Sequence, residues 1–320
     1  MTIPLFYNRL DITSALNIVS DKTKVKKVSL PILSSSVFYE KETRIGFYKN
    51  MGGERKLSKR PQGVLCDISG VMKNSINGVD VAIDKSVEAF KRLQDSGVPY
   101  VLCTNESCYS TAVLAQKLRK IGFNISADKI VSPVSAIIQV IKENNHRPYV
   151  LVNEKVRGEF DRFDQSDPDI VVVGDAIDDF TYENMNKTFK LLVGGERKFY
   201  CLGRSKYYLE SGELKLEVGC FIAGLEYSSQ VKAEVIGKPS PVFFNQAASL
   251  LGMSPRDLVM IGDDVDSDVG GAMRAGLQGI LVKTGKYREK DASHPTVKPT
   301  LIADNLSHAI DVILNSKKGY

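Results

Sequence analysis

The stretch GVLCDISGV, residues 63–71, places a carboxylate at the end of an apolar run. Residues 64–66 have the composition of a strand that is buried on both faces, and Asp67 follows them directly. From here almost to the end of the chain, apolar strand-like runs alternate with amphipathic helical patterns. This alternation predicts an α/β fold with a doubly wound parallel sheet that is covered by helices on both faces.

The composition divides the 320 residues into a basic N-terminal extension and a larger remainder. Residues 1–62 hold 12 Lys+Arg against 5 Asp+Glu and lack sustained periodicity, so we predict a poorly ordered extension there. The α/β pattern over 63–142 and 233–320 predicts a core domain. A second α/β pattern over 143–232 predicts a cap domain inserted into that core.

The charge balance and the cysteines exclude several classes of function. Residues 63–320 hold 31 Lys+Arg against 33 Asp+Glu, which gives no electrostatic reason to expect binding to nucleic acid. A membrane span is excluded because the sequence has no run of about 18 apolar residues. The five cysteines form no CxxC pair, so we expect a reduced intracellular protein, in the cytoplasm with the nucleus as a second location.

Polar side chains follow four of the predicted strands, at the point where each strand ends. The four sequences at these positions are Asp67-Ile68-Ser69, Thr104-Asn105-Glu106, Gly237-Lys238-Pro239 and Asp263-Asp264, in which Ile68, Gly237 and Pro239 are the members without a polar side chain. In an open parallel sheet the carboxyl ends of the strands form the ligand-binding edge. Carboxylates that meet there repel one another unless a hard cation lies among them, and a lysine can neutralise a phosphoryl group. The sequence therefore predicts a Mg²⁺ site that serves phosphoryl transfer.

Four motifs in this order resemble those of the haloacid dehalogenase-like (HAD) phosphatases. They are DISGV at 67–71, CTNES at 103–107, GKPSP at 237–241 and GDDVDSDVGGA at 262–272. The insertion between the second and third motifs resembles the branch of that family with a large α/β cap, and the resemblance covers roughly residues 63–316. It implies a HAD-like core with an inserted cap.

The resemblance also implies roles for individual residues. Asp67 would attack phosphorus and form an aspartyl-phosphate, which divides one difficult displacement into two. The catalytic residues would be Asp67, Ser69 and Lys238. The phosphoryl group would be bound by Asp67, Ile68, Ser69, Thr104, Asn105 and Lys238. Mg²⁺ would be held by Asp67, the Ser69 backbone carbonyl, Asp263 and, through water, Asp268. The expected partners are a phosphorylated small molecule or a phosphohistidine or phospholysine protein, and a second copy of the chain.

Ser69 departs from the common pattern of the family. Most members carry a second aspartate there, which protonates the leaving oxygen, and a hydroxyl is too weak an acid to replace it at neutral pH. General acid–base help is worth about 10²–10⁴-fold, so ordinary alkyl phosphates should be poor substrates. Phosphoramidates such as phosphohistidine and phospholysine, and inorganic pyrophosphate, need that acid less.

Three other functions remain open at this level. One is a HAD phosphatase for small esters of the phosphoglycolate or pyridoxal phosphate type. Another is a phospho-accepting receiver, although receivers place the acidic pair before the acceptor aspartate. The third is a non-catalytic protein that binds phosphorylated ligands, which the serine at position 69 motivates. Within the cap, the stretch GRSKYYLESGE at 203–213 is a candidate for contact with the leaving group, and a solvated hairpin is the alternative reading.

Overall fold

The computed structural model describes residue 57, residues 59–210 and residues 213–316. Most of the predicted extension over 1–62 therefore lies outside the described residues. In chain order the strands are β1 (Gly63–Asp67), β2 (Lys73–Ile76), β3 (Val79–Ala82), β4 (Tyr100–Cys103), β5 (Ile130–Val131), β6 (Pro148–Leu151), β7 (Ile170–Val173), β8 (Lys198–Cys201), β9 (Tyr207–Glu210), β10 (Glu213–Leu216), β11 (Glu234–Val235), β12 (Leu258–Gly262), β13 (Gln278–Val282) and β14 (Leu301–Ala303).

The α-helices alternate with these strands. In chain order they are α1 (Ser86–Asp95), α2 (Thr111–Lys120), α3 (Pro133–Asn144), α4 (Glu154–Arg157), α5 (Tyr182–Leu192), α6 (Val218–Ser229), α7 (Pro241–Leu251), α8 (Gly271–Arg274) and α9 (Leu306–Asn315). A π-helical segment over Val265–Gly270 leads into α8. Across the residues that are described, none of the helices combines the length and apolar character that a bilayer-spanning helix requires.

The larger sheet has six parallel strands in the order β14-β13-β12-β1-β4-β5. Side chains of β1 alternate between its faces: Val64 and Cys66 pack with helices α1, α2 and α9, whereas Leu65 packs with α3 and α7. The predicted doubly wound α/β core is confirmed. After β1 the chain builds outward through β4 and β5, and β12 then returns to the other side of β1. The order therefore reverses at β1, the kind of position where such sheets bind ligands.

A second sheet has four parallel strands in the order β11-β8-β7-β6. Its strands β6, β7 and β8 and the helices α5 and α6 come from the predicted cap, and Leu192, Ile222 and Leu225 of those helices are buried against one face. Strand β11 pairs with β8 although it follows residue 232. The second sheet thus continues two to three residues beyond the predicted limit of the cap.

One apolar cluster joins the two sheets. Val172 and Tyr200, from the face of the second sheet that α5 and α6 leave uncovered, belong to the same buried cluster as Leu65, Met260 and Phe243 of the core. All residues that the structure describes accordingly belong to a single compact unit.

The last residues of the predicted extension contact the folded core. Lys59 Nζ lies 2.6 Å from Asp257 Oδ1, and the Gln278 side chain donates to the Lys59 carbonyl at 3.1 Å. These contacts order residues 59–62 against β12 and β13, where the sequence pattern showed no periodicity.

Candidate active site

The carboxyl ends of three adjacent strands supply the centre of the site. Asp67 ends β1, Thr104 follows β4, and Asp263 follows β12, and all three side chains are buried. Because β1 lies between β4 and β12, the parallel register brings these residues to one edge of the sheet. The structure therefore assembles here side chains that lie up to almost 200 positions apart in the sequence.

A buried lysine pairs with the aspartate of β1. Lys238 Nζ lies 2.7 Å from Asp67 Oδ1 and also donates to the Cys103 carbonyl at 3.3 Å. Burial raises the pKa of Asp67, and the adjacent ammonium group opposes that rise. Burial alone would favour the neutral amine of Lys238, but Asp268 and Asp67 hold its pKa above the usual range. Lys238 thus favours the ionised form of Asp67 against the effect of burial.

Asp67, Asp263 and Asp268 form a group that could hold a metal ion. One carboxylate oxygen from each lies within 4.8 Å of the others, and all three residues are buried. Burial and the neighbouring Asp268 raise the pKa of Asp263 to about 6, and burial and Asp67 raise that of Asp268 to about 7. Three carboxylates facing one ammonium group leave negative charge uncompensated. This all-oxygen donor set fits a hard divalent cation.

Close backbone approach holds the Asp263 carboxylate in place. Gly70 and Gly285 both adopt left-handed backbone, with φ +84° and +58°, and a methyl group at either position would overlap that carboxylate. The Lys286 amide donates to Asp263 Oδ2 at 2.6 Å, and the Thr284 hydroxyl donates to the Gly70 carbonyl at 2.6 Å. The loop after β13 therefore joins the Asp67 loop around Asp263.

Asp268 lies on the π-helical segment and uses both carboxylate oxygens. Its Oδ1 is 2.7 Å from Lys238 Nζ, and its Oδ2 accepts a hydrogen bond from the Asp264 amide at 3.1 Å. The Asp264 side chain accepts from the amides of Asp266 and Ser267, at 3.1 and 3.0 Å, and so caps the start of this segment. Asp264 has a capping role in addition to lining the cavity, because its carboxylate compensates the exposed amides.

The remaining predicted site residues differ in whether their side chain or their backbone faces the site. Ser69 is exposed and lines the cavity beside Asp67. Thr104 and Asn105 line the same cavity. The Ile68 side chain is buried in the core and its amide donates to Asp67 Oδ1 at 2.8 Å. The hydroxyl of Thr104 accepts from the Glu106 amide at 3.1 Å. Asn105 directs its amide group at the backbone of Lys238.

The cavity in front of Asp67 has a volume of about 430 Å³ and is lined by both sheets' loops. From the cap it receives Lys155, Asp175, Ile177 and Glu217. Within the cap stretch 203–213, a predicted contact for the leaving group, residues 207–210 and 213 belong to the strands of the hairpin β9–β10, and none of the residues whose side chains are described lines the cavity. Arg204 in that stretch is paired with Glu226, at 2.9 and 2.5 Å, which leaves its guanidinium engaged within the cap.

The cap residues that line the cavity were missed by sequence analysis, although a signal for one of them was present. Asp175 follows the buried strand β7 in the way that Asp67 ends β1. Applying the strand-end rule to the second sheet would have selected it. Asp175 accepts from the Cys108 thiol at 3.6 Å, and burial raises the pKa of its carboxyl group. Lys155 and Glu217 have no comparable signal.

Two family descriptions match the two parts of the larger sheet. Residues 64–165 match the haloacid dehalogenase-like hydrolases, and residues 235–309 match the description HAD-hydrolase-like. Together with the relatives below, these matches show that the chain belongs to the haloacid dehalogenase-like hydrolases.

Similar proteins carry more specific names. The chain is 45% identical over 254 residues to the phospholysine phosphohistidine inorganic pyrophosphate phosphatase of Homo sapiens, an alignment that covers 79% of this chain and 94% of that protein. It is 38% identical over 253 residues to the human haloacid dehalogenase-like hydrolase domain-containing protein 2, with 79% and 96% covered. The crystal structure of 4-nitrophenylphosphatase from Thermotoga maritima superposes with a TM-score of 0.72 at 22% identity, over 79% of this chain and 98% of that one, and so has the same fold.

Proposed function

We propose that the chain is a Mg²⁺-dependent phosphatase that works through an aspartyl-phosphate at Asp67. One observation carries the proposal: Lys238 Nζ lies 2.7 Å from both Asp67 and Asp268, within a buried group of three carboxylates of which two stand at the ends of β1 and β12 and the third on the π-helical segment. A buried carboxylate held beside an ammonium group and next to an open cavity is arranged for attack on phosphorus.

The reaction proceeds in two displacements. An Asp67 oxygen forms a bond to phosphorus while the bond to the leaving group breaks, and the electron pair of that bond departs with the leaving group. Water then attacks the phosphorus of the aspartyl-phosphate, which releases inorganic phosphate and restores the Asp67 carboxylate. Lys238 opposes the rise in the pKa of Asp67 and lies beside the attacking carboxylate, where charge develops.

The other site residues support these steps. Thr104, Asn105 and the loop at Ile68-Ser69 surround the position of the phosphoryl group. A magnesium ion held by Asp67, Asp263, the Ser69 carbonyl and Asp268 would supply positive charge against the phosphoryl oxygens.

We further propose phosphoramidates and inorganic pyrophosphate as the substrate class. Ser69 supplies no proton donor strong enough for an alkoxide leaving group, whereas a protonated nitrogen or a phosphate leaves without one. The name of the 45%-identical human relative specifies phospholysine, phosphohistidine and inorganic pyrophosphate. Cap carboxylates Asp175 and Glu217 line the cavity and could meet a basic leaving nitrogen.

The predicted homodimer and the predicted location also remain proposals. Leu214 and Leu216 on β10 are 68% and 69% exposed, and paired apolar side chains of this kind are typical of contact surfaces. All five cysteines are free thiols, in agreement with the reducing environment of the cytoplasm and nucleus. Sedimentation of the purified chain and localisation of the tagged chain would test the two.

The decisive experiment is phosphate release with and without Mg²⁺, with Asp67→Asn as the blank. The substrates are phosphohistidine, phospholysine, pyrophosphate, p-nitrophenyl phosphate, phosphoglycolate and pyridoxal phosphate. We expect metal-dependent release that is fastest from the P–N compounds and pyrophosphate, and none from the variant. Fastest release from the alkyl esters would retain the mechanism and reject the substrate class, and wild-type rates in Asp67→Asn would reject the nucleophile.

A further inference from the structure

The side chain of Asn105 is bonded to the backbone of Lys238 at both ends of its amide group. Asn105 Oδ1 accepts from the Lys238 amide at 2.8 Å, and Asn105 Nδ2 donates to the Lys238 carbonyl at 2.9 Å. The pair bridges 133 positions of sequence. Only this orientation of the amide fits, because the flipped one would face donor with donor and acceptor with acceptor.

The backbone around Lys238 is shaped for this contact. A side chain at Gly237 would bring its Cβ to 2.7 Å from Asn105 Oδ1 and 3.0 Å from the Leu202 carbonyl. The loop between β11 and α7 therefore lies directly against the end of β4. Fixing both polar groups of one residue fixes the origin of its side chain, and the Lys238 side chain then reaches Asp67 and Asp268.

We propose that Asn105 is a positioning residue, which acts by holding the backbone of Lys238 so that its ammonium group stays between Asp67 and Asp268. This gives the Asn105 side chain a role other than the hydrogen bond to a phosphoryl oxygen that the resemblance implied for Asn105. The inference rests on the proposed function, since the lysine matters there for catalysis. Misplacement by about 1 Å is enough to cost on the order of 10²-fold in rate.

A double-mutant cycle separates the two roles. We expect Asn105→Ala to lower kcat by roughly 10–100-fold with a smaller change in KM. If Asn105 acts through Lys238, then adding Asn105→Ala to Lys238→Met slows that variant by less than about threefold. If it contacts the substrate, the two losses multiply, and the proposal is overturned.

The affinity for inorganic phosphate, measured by calorimetry in the presence of Mg²⁺, supplies a readout that does not need turnover. Asn105→Asp keeps the acceptor for the Lys238 amide and loses the donor. If the Asn105 side chain acts only as a clamp on the Lys238 backbone and does not contact the substrate, Asn105→Asp should bind phosphate no worse than Asn105→Ala does. A carboxylate in contact with a phosphoryl oxygen would repel it, so phosphate affinity at least tenfold below that of Asn105→Ala would refute the clamp.

Gln246→Ala is the matched control for loss of an amide–backbone bond. Gln246 Nε2 donates to the Ala136 carbonyl at 3.0 Å across 110 positions, and its side chain does not line the cavity. We expect a comparable fall in the thermal midpoint from both alanine variants and a loss of kcat from Asn105→Ala alone. Absence of phosphate release by the wild-type chain on every substrate would instead reject the proposed function, so the two failures are distinguishable.

Discussion

Lys238 Nζ and Asp67 Oδ1 are 2.7 Å apart although 171 positions separate the two residues. Because burial raises the pKa of Asp67 and Lys238 opposes that rise, removing the ammonium group should make the nucleophile harder to ionise. We expect Lys238→Met to lower kcat by about 10³-fold or more and to move the acid limb of the pH–rate profile to higher pH. Lys238→Arg keeps the charge, so its limb should stay near that of the wild type. If the acid limb of the Lys238→Met profile stays at the wild-type pH, Lys238 does not control the ionisation of Asp67.

Ser69→Asp should create the missing general acid. Ser69 is exposed toward the cavity beside Asp67, so a longer side chain has room there. We expect hydrolysis of phosphoglycolate to rise by at least tenfold, within the 10²–10⁴-fold range that acid–base help typically supplies. Release from p-nitrophenyl phosphate, whose leaving group needs little protonation, serves as the internal control and should change little. Equal gains on both substrates would mean that the new carboxylate acts in some other way.

Asp175→Asn tests whether the cap selects basic leaving groups. The carboxylate of Asp175 lines the cavity, and replacing it by an amide removes its negative charge. We expect kcat/KM for phospholysine to fall by about 10–100-fold while the value for pyrophosphate is kept or rises. Asp178→Asn, on an exposed residue of the same cap loop that does not line the cavity, is the matched control. A uniform loss on both substrates would contradict selection by charge.

Gly285→Ala should weaken metal binding. A methyl group at Gly285 overlaps the Asp263 carboxylate, which must then leave its present position beside Asp67 and Asp268. We expect the Mg²⁺ concentration for half-maximal activity, and the calorimetric Kd for Mg²⁺, to rise by about 10–100-fold. Gly252→Ala is a close control because Gly252 also has left-handed backbone, φ +64°, but no atom within 4 Å of the added methyl. Both variants should lose stability through backbone strain, and only Gly285→Ala should lose metal affinity.

Glu226→Gln should destabilise the cap in a pH-dependent manner. Hydrogen bonds from Arg204 lower the pKa of the buried Glu226 to about 2. A carboxyl group whose pKa is depressed by folding contributes stability above its unfolded pKa of about 4.3, and that contribution is lost as pH falls toward 2. We expect the free energy of unfolding at pH 7 to fall by about 1–2 kcal/mol, and the difference from wild type to shrink between pH 5 and about 2.

Urea titrations at pH 7, 4 and 2.5 measure this difference. Glu159→Gln is the comparison, because its partner Arg162 and Glu159 itself are both well exposed and such pairs contribute little. A constant difference at all three pH values would show that the charge of Glu226 is not what stabilises the cap.

The fold and the centre of the site follow from local patterns. Asp67 and Asp263 were identifiable because each stands at the end of a fully buried run, and the parallel sheet then determines where these ends meet. Lys238 was identifiable from its motif. These features depend on a few neighbouring residues and on the topology, both of which the sequence makes visible.

Other features depend on pairings between distant residues. Arg204 in the sequence is one cation among several, and only the folded cap pairs it with Glu226. The same holds for Asn105, because its partner is the backbone of a loop 133 positions away. The π-helical segment that carries Asp268 has no local signature that separates it from an α-helix. Tertiary contacts therefore determine which polar side chains are bonded within the protein and which can contact a ligand.

The apolar cluster that joins both sheets has a mechanical consequence. Val172 and Tyr200 pack in the same cluster as Leu65 and Met260. Rotating the second sheet away from the core as a rigid body would therefore expose several buried side chains to solvent at once. We therefore expect substrates to enter through small adjustments of the loops around the cavity rather than through rotation of the whole second sheet. Replacing the cap by that of another protein would require redesign of the shared apolar cluster as well as of the two chain segments that connect the cap to the core.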